Sequence, residues 1–423
     1  MSERASDWNR LDNAAKIFPA VKRRDWSNVF RLSATLTQPI DPLLLQEAVR
    51  LVAPRFPSML VSLHRGLFWY YLEQVPEPPR VRPDSSCPLV HMTSRELETC
   101  ALRVLYFRNR IAVEFFHSIT DGNGGLVFLK TLTAAYVSLR DGISIPPEEG
   151  VLDWHMPPDP AEWEDSFLKV AGQVSMSRRE ENAFRIQGPR EQDGFLHLTV
   201  ATVSSEALRT LAKAHGVTIT AFLAAVMLQA IMELRPRRSH RWAKVTIPVD
   251  LRRLFESRTL RNFALTVNVG VDPRLGAYSL DELCSVVQGQ LAMQVTPQQM
   301  AARVAANVNP EQALMMKVAP LPLKNLAMRL VYRTVGECKG TLNISNLGLT
   351  RLPRELAPHV ACLDFIIGPQ LTYFNNCSVI SWGGLTRINL IRSLRQPELE
   401  RRFLTKLVAL GLEVTVDSNE GRE

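Results

Sequence analysis

One segment of the chain combines residue types that can move a proton. In VEFFHSITDGNGGLVFLKTL, residues 113–132, an apolar run ends at His117, and Asp121 and Gly122 follow four and five residues later. The imidazole group has an ordinary pKa near neutrality, so it can take a proton from a hydroxyl or an amine and later return it. The spacing therefore indicates His117 as a candidate general base.

The elements predicted around His117 would hold its side chain firmly. RIAVEFF, residues 110–116, is typical of a strand, and the apolar residues after the glycines recur at helical spacing. The end of a strand is held by its sheet and is a common position for functional side chains. The glycines at 122, 124 and 125 allow a tight turn into the helix without a Cβ clash.

The same spacing leaves a structural role open for the histidine, because a histidine before an Asp-Gly turn also occurs by chance. A metal site is disfavoured. The paired histidines of H-E-x-x-H are missing, and one carboxylate supplies too few ligands. We therefore expect no metal at this segment.

Length and composition indicate a soluble protein of two domains. The chain has 423 residues, of which 46% are hydrophobic and 22% are charged. Its six cysteines form neither a C-x-x-C pair nor a metal-binding pattern with histidine, as is typical of reduced thiols in the cytosol. The beginning of the chain is polar, and no apolar segment has the length of a membrane span. We expect a cytoplasmic protein.

The formal charge of +8 and the pI of about 9.3 favour anionic partners. Nucleic acid is disfavoured, because the sequence shows no helix-turn-helix, zinc-finger or RNP-like pattern and its arginines are spread along the chain. Acidic proteins and phosphorylated small molecules both remain compatible with this charge.

The pattern of elements divides the chain into three parts. Residues 1–145 mix strands and helices, residues 146–195 are rich in proline and predict a crossover linker, and residues 196–423 mix strands and helices again. Local signals are clear at several positions. Asp41 before Pro42 predicts a helix start, Ser279 with Glu282 predicts a capping box, and Gly383-Gly384 predicts a hairpin turn.

Three segments together resemble one superfamily. HSITDG, residues 117–122, matches the H-x-x-x-D-G motif of the CoA-dependent acyltransferases, which include chloramphenicol acetyltransferase, condensation domains of nonribosomal peptide synthetases, plant BAHD acyltransferases and bacterial alcohol acetyltransferase-like proteins. The motif lies about a quarter of the way along the chain, as in the family. IPVDLRRLFESRTLRNF, residues 247–263, and NISNLG, residues 343–348, resemble segments of the second half of bacterial members.

Two departures disfavour particular branches of this superfamily. Phe116 stands where most peptide-forming condensation domains have a second histidine, and the D-F-G-W-G motif of the plant enzymes is absent from the sequence.

The resemblance implies a fold and a reaction. The expected fold is α/β, with two similar chloramphenicol-acetyltransferase-like domains, each a mixed sheet flanked by helices, and a tunnel between them with His117 at its middle. The donor and the acceptor would enter from opposite ends. His117 would take the acceptor's proton as the acceptor attacks the thioester of an acyl donor, without a covalent acyl-enzyme, a metal or a permanently bound cofactor.

The resemblance also assigns roles to individual residues. Asp121 would be structural and would orient the histidine loop, residues 117–125, by pairing with an arginine of the second half, either Arg252 or Arg253. A solvated arginine remains an alternative for both. Three polar residues are candidates to line the tunnel or the interface between the domains, with a plain structural role left open: Asn262, Ser345 and Asn346.

The predicted function is an O- or N-acyltransferase with acyl-CoA as the donor and a small alcohol or amine as the acceptor. Two alternatives remain: a condensation-type enzyme that takes its acyl group from the phosphopantetheine arm of an acyl carrier protein, and a binding protein that has the fold without the chemistry. The basic run RPRRSHR, residues 235–241, could meet CoA phosphates or a carrier protein, but such runs are usually solvated loops. The acceptor, the acyl chain length and the oligomeric state are left open.

Overall fold

The computed structural model describes residues 8–12, 14–21, 28–172, 174–175, 180–191, 193–236, 238–312, 319–331, 337–370 and 373–420. Its strands are β1 Trp8–Arg10, β2 Val29–Leu36, β3 Val61–Arg65, β4 Tyr70–Gln74, β5 Arg82–Pro83, β6 Leu102–Phe107, β7 Arg110–Phe116, β8 His197–Ser204, β9 Ala243–Asp250, β10 Ala264–Val271, β11 Leu342–Leu349, β12 Val360–Ile367, β13 Asn375–Trp382, β14 Leu385–Arg392 and β15 Thr415–Ser418.

The α-helices among these residues are α1 Ile17–Val21, α2 Pro42–Val52, α3 Ser94–Thr99, α4 Gly122–Asp141, α5 Ser166–Val170, α6 Ser205–Ala214, α7 Ile219–Leu234, α8 Arg252–Phe255, α9 Leu280–Gln294, α10 Pro297–Gln312, α11 Leu321–Val331 and α12 Glu398–Ala409. Short 3₁₀ turns lie between them, among them Ala14–Lys16 and Pro160–Glu162. No single helix of the described residues is long and apolar enough to cross a membrane.

The first large sheet has the strand order β12-β2-β7-β6-β5. Its central strand β7 is antiparallel to β2 on one side and to β6 on the other, so both of its edges are paired. Six of its seven residues are buried, which accounts for the nearly continuous apolar run in the sequence. This strand is therefore a rigid support for the residue that follows it, His117.

One strand of that sheet comes from the far end of the chain. β12 runs antiparallel to β2, with Phe365 opposite Leu32, although four strands of the other large sheet, β8 to β11, lie between them in the chain. The Ser378 hydroxyl of β13 donates a hydrogen bond to the Phe365 carbonyl oxygen at 2.5 Å. The two halves are thus joined through a shared strand as well as through the linker.

The second large sheet has seven strands in the order β10-β9-β11-β13-β14-β8-β15. β11 is parallel to both β9 and β13, and the other neighbours are antiparallel. The helix α7 packs against β9, α9 and α12. Its residues 221–228, AFLAAVML, are apolar on every side because this part of the helix is enclosed in the core of this half.

A third sheet, of three strands in the order β1-β4-β3, was not predicted from the sequence. β3 and β4 form a hairpin whose tip is residues 66–69, closed by a hydrogen bond from the Gly66 amide to the Trp69 carbonyl oxygen. The tip reaches α11, where the Leu321 amide donates to the Leu67 carbonyl oxygen at 3.0 Å.

The structure confirms the mixed α/β class and the clear local signals. Asp41 caps α2 with Pro42 in its first turn, Ser279 and Glu282 form a capping box on α9, and a two-residue turn at Gly383-Gly384 connects β13 to β14. The domain boundaries stay a prediction.

The described part of the predicted linker contacts both halves. Glu162 forms a buried ion pair with Arg55 of the first half, with 2.7 Å between Nη2 and Oε1, and its carbonyl oxygen accepts a hydrogen bond from the Leu260 amide of the second half at 2.8 Å. The linker therefore helps to set how residues near 260 approach the first half.

Candidate active site

His117 immediately follows β7. Its amide donates a hydrogen bond to the Asn28 carbonyl oxygen at 2.8 Å, so the pairing of β7 with β2 continues for one residue beyond the strand. The chain then turns, because the Ile119 amide donates to the Phe116 carbonyl oxygen at 3.1 Å. This fixes the position of the His117 backbone at the edge of a packed sheet.

Two aromatic rings enclose the His117 imidazole. The Phe18 ring of α1 stacks on it with 4.6 Å between ring centroids, and the Phe30 ring of β2 meets it at 5.0 Å with a steep tilt. Burial lowers the pKa of His117 below the ordinary value of 6.5, although hydrogen bonds and the charge of Asp121 act in the opposite direction. The imidazole is therefore neutral at pH 7, which is the state a base needs.

Asn262 fixes the orientation of the imidazole. Its side-chain oxygen Oδ1 lies 3.1 Å from the His117 Nδ1 atom. An amide oxygen can only accept, so Nδ1 carries the hydrogen and the lone pair of the neutral ring is on Nε2. Nε2 is then the atom that can accept a proton from another molecule.

A buried carboxyl group lies beyond Asn262. Burial raises the pKa of Asp12 to about 6, even though the Arg261 guanidinium and the side chain of Asn262 both lower it. The Asp12 Oδ1 atom accepts a hydrogen bond from the Ala15 amide at 2.7 Å, which places it at the start of the 3₁₀ turn before α1. Polar groups thus extend from His117 through Asn262 to Asp12.

Asp121 is turned toward the second half of the protein. It caps α4 by accepting from the Gly124 amide at 3.1 Å, and it accepts from the Phe263 amide at 2.8 Å. The Arg252 guanidinium donates to both of its oxygens, at 2.9 and 3.0 Å. The two oxygens of a carboxylate can accept about four hydrogen bonds, and Asp121 receives four, so its capacity is filled.

Asp121 is ionised at neutral pH. Burial alone would raise its pKa, but Arg252 and the amide donors hold the pKa below the ordinary value of 3.8. The pKa of Asp121 is lower in the folded protein than in the unfolded chain. The ion pair therefore stabilises the protein at pH values above the ordinary pKa of 3.8, and this stabilisation is lost as pH falls through the depressed pKa of the folded state.

Arg252 uses every one of its five N–H groups. Besides the two bonds to Asp121, it donates to the Asp250 Oδ1 atom at 2.9 Å, to the Thr259 carbonyl oxygen at 2.7 Å and to the Arg261 carbonyl oxygen at 2.6 Å. Such a saturated guanidinium holds its acceptors in one arrangement. It therefore fixes Asp121 and the segment 259–261 relative to each other.

The structure decides between the two arginines that the sequence left open. Arg252 is at the carboxylate of Asp121, whereas the side chain of Arg253 is exposed. Adjacent residues at the start of a helix point in different directions, so only one of them can face the histidine loop.

The residues Thr259–Phe263, called the anchor segment below, lie against the histidine loop. The Thr120 hydroxyl donates to the Leu260 carbonyl oxygen at 2.6 Å. A Cβ atom added at Gly124 would stand 2.2 Å from the same oxygen, so only glycine allows this approach. The anchor segment also supplies Asn262 to the imidazole.

Gly122 has a different neighbourhood. A Cβ atom added there would stand 2.9 Å from a methyl group of Leu347 and 3.2 Å from the Phe365 ring. Both are side-chain atoms, one from β11 and one from β12. The first residue of α4 is therefore packed against the strands that join the two halves.

Ser345 and Asn346 lie on β11, close in sequence to Leu347. The Asn346 amide group is engaged within the second half, since Nδ2 donates to the Thr220 hydroxyl at 3.1 Å and Oδ1 accepts from the Gly348 amide at 2.8 Å. Ser345 is half-buried. A role for either residue, or for Asn262, in lining a tunnel stays a prediction.

Other candidates lie outside this site. Arg235 of the basic run donates to the Ser239 carbonyl oxygen of the same run. One cavity of about 110 Å³ lies beside Leu234 and Asn375, and another of about 250 Å³ lies beside Arg82 and Arg103; neither is lined by His117. The described residues contain no group of three or more His, Cys, Asp or Glu that could hold a metal ion.

Sequence reasoning missed several residues of this site. Phe18 and Asp12 precede it by about a hundred residues and carry no motif, so no local signal could have indicated them. Gly124 and Thr120 were visible inside the predicted turn, but their closeness to Leu260 depends on how the two halves pack.

Solved structures show that this fold is shared by acetyltransferases and condensation domains, whereas no family model and no curated protein matches the chain. TRI101 of F. sporotrichioides, complexed with coenzyme A and T-2, aligns with a TM-score of 0.66 and 12% identity over 97% of this chain and 100% of that chain. TRI3 trichothecene 15-O-acetyltransferase from Fusarium sporotrichioides aligns with a TM-score of 0.60 and 14% identity, over 95% and 94% of the two chains.

The first condensation domain of the calcium-dependent antibiotic synthetase has a structural similarity to this chain comparable to that of the two acetyltransferases. It aligns with a TM-score of 0.65 and 14% identity over 96% of this chain and 97% of that chain. Identities this low establish the fold alone. The predicted fold, two α/β domains with mixed sheets flanked by helices, is confirmed as the fold of these acetyltransferases and condensation domains.

The pairing of Asp121 with Arg252 can be tested by a double-mutant cycle. Asp121→Asn and Arg252→Met should each lower the free energy of unfolding by about 3–5 kcal/mol, because each breaks a buried ion pair and leaves buried hydrogen-bonding groups unsatisfied. The double variant should lose less than the sum of the two, since the partners form one unit. Urea unfolding of the four proteins, with acyl-transfer rates measured in parallel, gives the coupling energy.

Two outcomes would contradict this role. Effects on stability that add within about 0.5 kcal/mol would show that the pair is not a unit. A loss of rate in Asp121→Asn with unchanged stability and no coupling to Arg252 would instead indicate that the carboxylate acts on the imidazole directly.

The two glycines of the histidine loop should respond differently to alanine. Gly124→Ala should lower the free energy of unfolding by about 1–3 kcal/mol and reduce activity, because its Cβ would meet backbone atoms of Leu260 that cannot move alone. Gly122→Ala is the matched control, since its closest contact is the end of the flexible Leu347 side chain. Equal melting temperatures for the two variants would contradict the assigned packing of the anchor segment.

Proposed function

We propose that this protein is an acyltransferase that moves an acyl group from acyl-CoA to a hydroxyl or amine acceptor, with His117 as the general base. The observation that carries the proposal is the state of the imidazole. It is neutral, its Nδ1 atom is held by Asn262, and its Nε2 atom has the lone pair. The shared fold of acetyltransferases and condensation domains supports the same chemistry.

The proposed reaction has two proton transfers at one atom. The Nε2 atom of His117 takes the proton of the acceptor O–H or N–H as that oxygen or nitrogen bonds to the thioester carbonyl carbon. The resulting tetrahedral oxyanion collapses, the C–S bond breaks, and the imidazolium returns the proton to the leaving thiolate. The protein is unchanged at the end, and no acyl group is attached to it.

Asn262 and Asp121 contribute in different ways to this reaction. Asn262 keeps the lone pair on Nε2 and keeps the ring from rotating, which is the role of a positioning residue. Asp121 has all its acceptor positions occupied by Gly124, Phe263 and Arg252, so it holds the loop rather than receiving a proton from His117.

Two acyl donors are candidates, and both carry the acyl group as a thioester. Free acyl-CoA is supported by TRI101, whose structure is complexed with coenzyme A. An acyl group on a carrier protein is supported by the similarity to a condensation domain. Phe116, which replaces the second histidine of most peptide-forming condensation domains, favours free acyl-CoA.

His117→Ala should lower acyl transfer by about 10²-fold or more and leave the fold intact, because a general base supplies a factor of this size. Release of free thiol from acetyl-CoA and longer acyl-CoAs, with a panel of alcohols and amines and product masses, measures the rate. In the wild type, kcat/KM should fall as the imidazole is protonated, and burial places that fall below pH 6.5.

His155→Ala is the matched control, because that histidine is exposed and lies on a loop of the linker. It should leave both the rate and its pH dependence unchanged. Turnover of His117→Ala close to that of the wild type, on a verified substrate, would remove His117 from the mechanism.

The two donors can be separated by thermal unfolding. A ligand that binds only the native state raises the unfolding free energy by about 2.7 kcal/mol at a concentration 100 times its Kd. We expect acyl-CoA to raise the melting temperature, with free pantetheine as the smaller control ligand. A shift produced by an acylated carrier protein and by no acyl-CoA would assign the donor to the carrier.

A further inference from the structure

The helix α11 has its polar and apolar faces reversed relative to a usual surface helix. Lys324 is 1% exposed and is turned into the protein, where its Nζ atom donates to the Phe68 carbonyl oxygen at 3.0 Å and lies 3.3 Å from the centre of the Trp69 ring. Asn325 is also turned inward, and its amide donates to the Tyr70 hydroxyl at 3.0 Å. Lysine is almost never buried without such partners.

The opposite face of α11 presents leucines to solvent. The exposed fractions of Leu323, Leu326 and Leu330 are 60%, 66% and 64%. Their spacing of three and four residues puts them on one side of the helix. Among the described residues of α11, Pro322, Ala327 and Arg329 are also exposed, and Arg329 is the one charged side chain of this exposed set.

The hairpin tip extends this apolar surface. Leu67 and Phe68 are 73% and 42% exposed, and the backbone of both residues is hydrogen bonded to α11, through the Leu321 amide and the Lys324 ammonium group. We define the leucine patch as Leu67, Phe68, Leu323, Leu326 and Leu330. Exposed apolar residues that cluster in this way commonly mark an interaction surface.

Two arginines flank the leucine patch. Arg65 precedes the hairpin tip, Arg329 lies on the edge of the exposed face of α11, and both are exposed. Neither the range 65–70 nor the range 321–331 contains an aspartate or a glutamate. The chain as a whole carries a formal charge of +8.

We propose that the leucine patch docks this protein peripherally on the surface of an anionic lipid bilayer. A helix that exposes leucines and an arginine, beside an exposed phenylalanine and a second arginine on the hairpin, resembles the helices that lie in the plane of the lipid headgroups. The apolar side chains enter the acyl boundary, and the arginines meet lipid phosphates. A second copy fits less well, because a two-fold contact through this patch would bring like-charged arginines together.

The docking surface is close to the candidate active site. The Arg329 Nε atom donates to the Ala20 carbonyl oxygen at 2.6 Å, so α11 packs on α1. The Phe18 ring of α1 stacks on His117. Only one short helix therefore separates the proposed membrane surface from the imidazole. The proposal itself does not depend on catalysis, because binding is measured without substrate.

The test is flotation of the full chain with vesicles of phosphatidylcholine alone and of phosphatidylcholine mixed with phosphatidylserine. We expect binding to the anionic vesicles, weaker at high salt because the Debye length shortens. A triple variant should lower the partition coefficient by about tenfold or more: Leu323→Gln, Leu326→Gln, Leu330→Gln. The reason is that three apolar side chains are no longer transferred from water into the bilayer. Arg65→Gln should weaken it by about fivefold.

The matched control changes three exposed leucines elsewhere: Leu43→Gln, Leu168→Gln, Leu275→Gln. It should bind vesicles like the wild type. Any of three results would overturn the proposal: no flotation of the wild type, equal flotation of the two triple variants, or equal binding to neutral and anionic vesicles. If light scattering shows that the wild type is a dimer, that the leucine-patch variant alone is a monomer, and that the wild type does not bind vesicles, the patch would be assigned to a contact with a second copy of this chain.

Discussion

The two-bond ion pair between Asp121 and Arg252 is the interaction on which the candidate active site depends. Taking both charges out of water costs free energy, and pairs of this kind often add little to stability. What the pair does provide is a single geometry. Each partner has every hydrogen-bonding position occupied, so neither can shift without leaving a buried polar group unsatisfied.

The position of the imidazole follows from that pair in short steps. Arg252 holds the backbone of the anchor segment, and the anchor segment carries Asn262 to the Nδ1 atom of His117. The base comes from the first half of the chain, and the group that sets its tautomer comes from the second. The packing between the halves, rather than either half alone, therefore determines whether Nε2 can accept a proton.

The sequence was informative where the physical cause was local. Strand and helix periods, helix caps and the glycine turn after His117 all act within a few residues, and the H-x-x-x-D-G resemblance led to the correct fold. Phe18 against His117, and Gly124 against Leu260, could not be predicted, because residues far apart in the chain meet there without any periodic signal. The choice of Arg252 over Arg253 likewise required the direction of each side chain.

The shared strand β12 has a consequence for the order in which this chain can fold during synthesis. Until residues 360–367 have left the ribosome, β2 is the open edge of the first large sheet, with unpaired backbone groups along one side. The first half must wait for about two hundred further residues before its sheet is complete. Such a nascent chain is open to strand addition by other chains during that interval, so its folding is expected to be sensitive to chaperones and to the speed of translation.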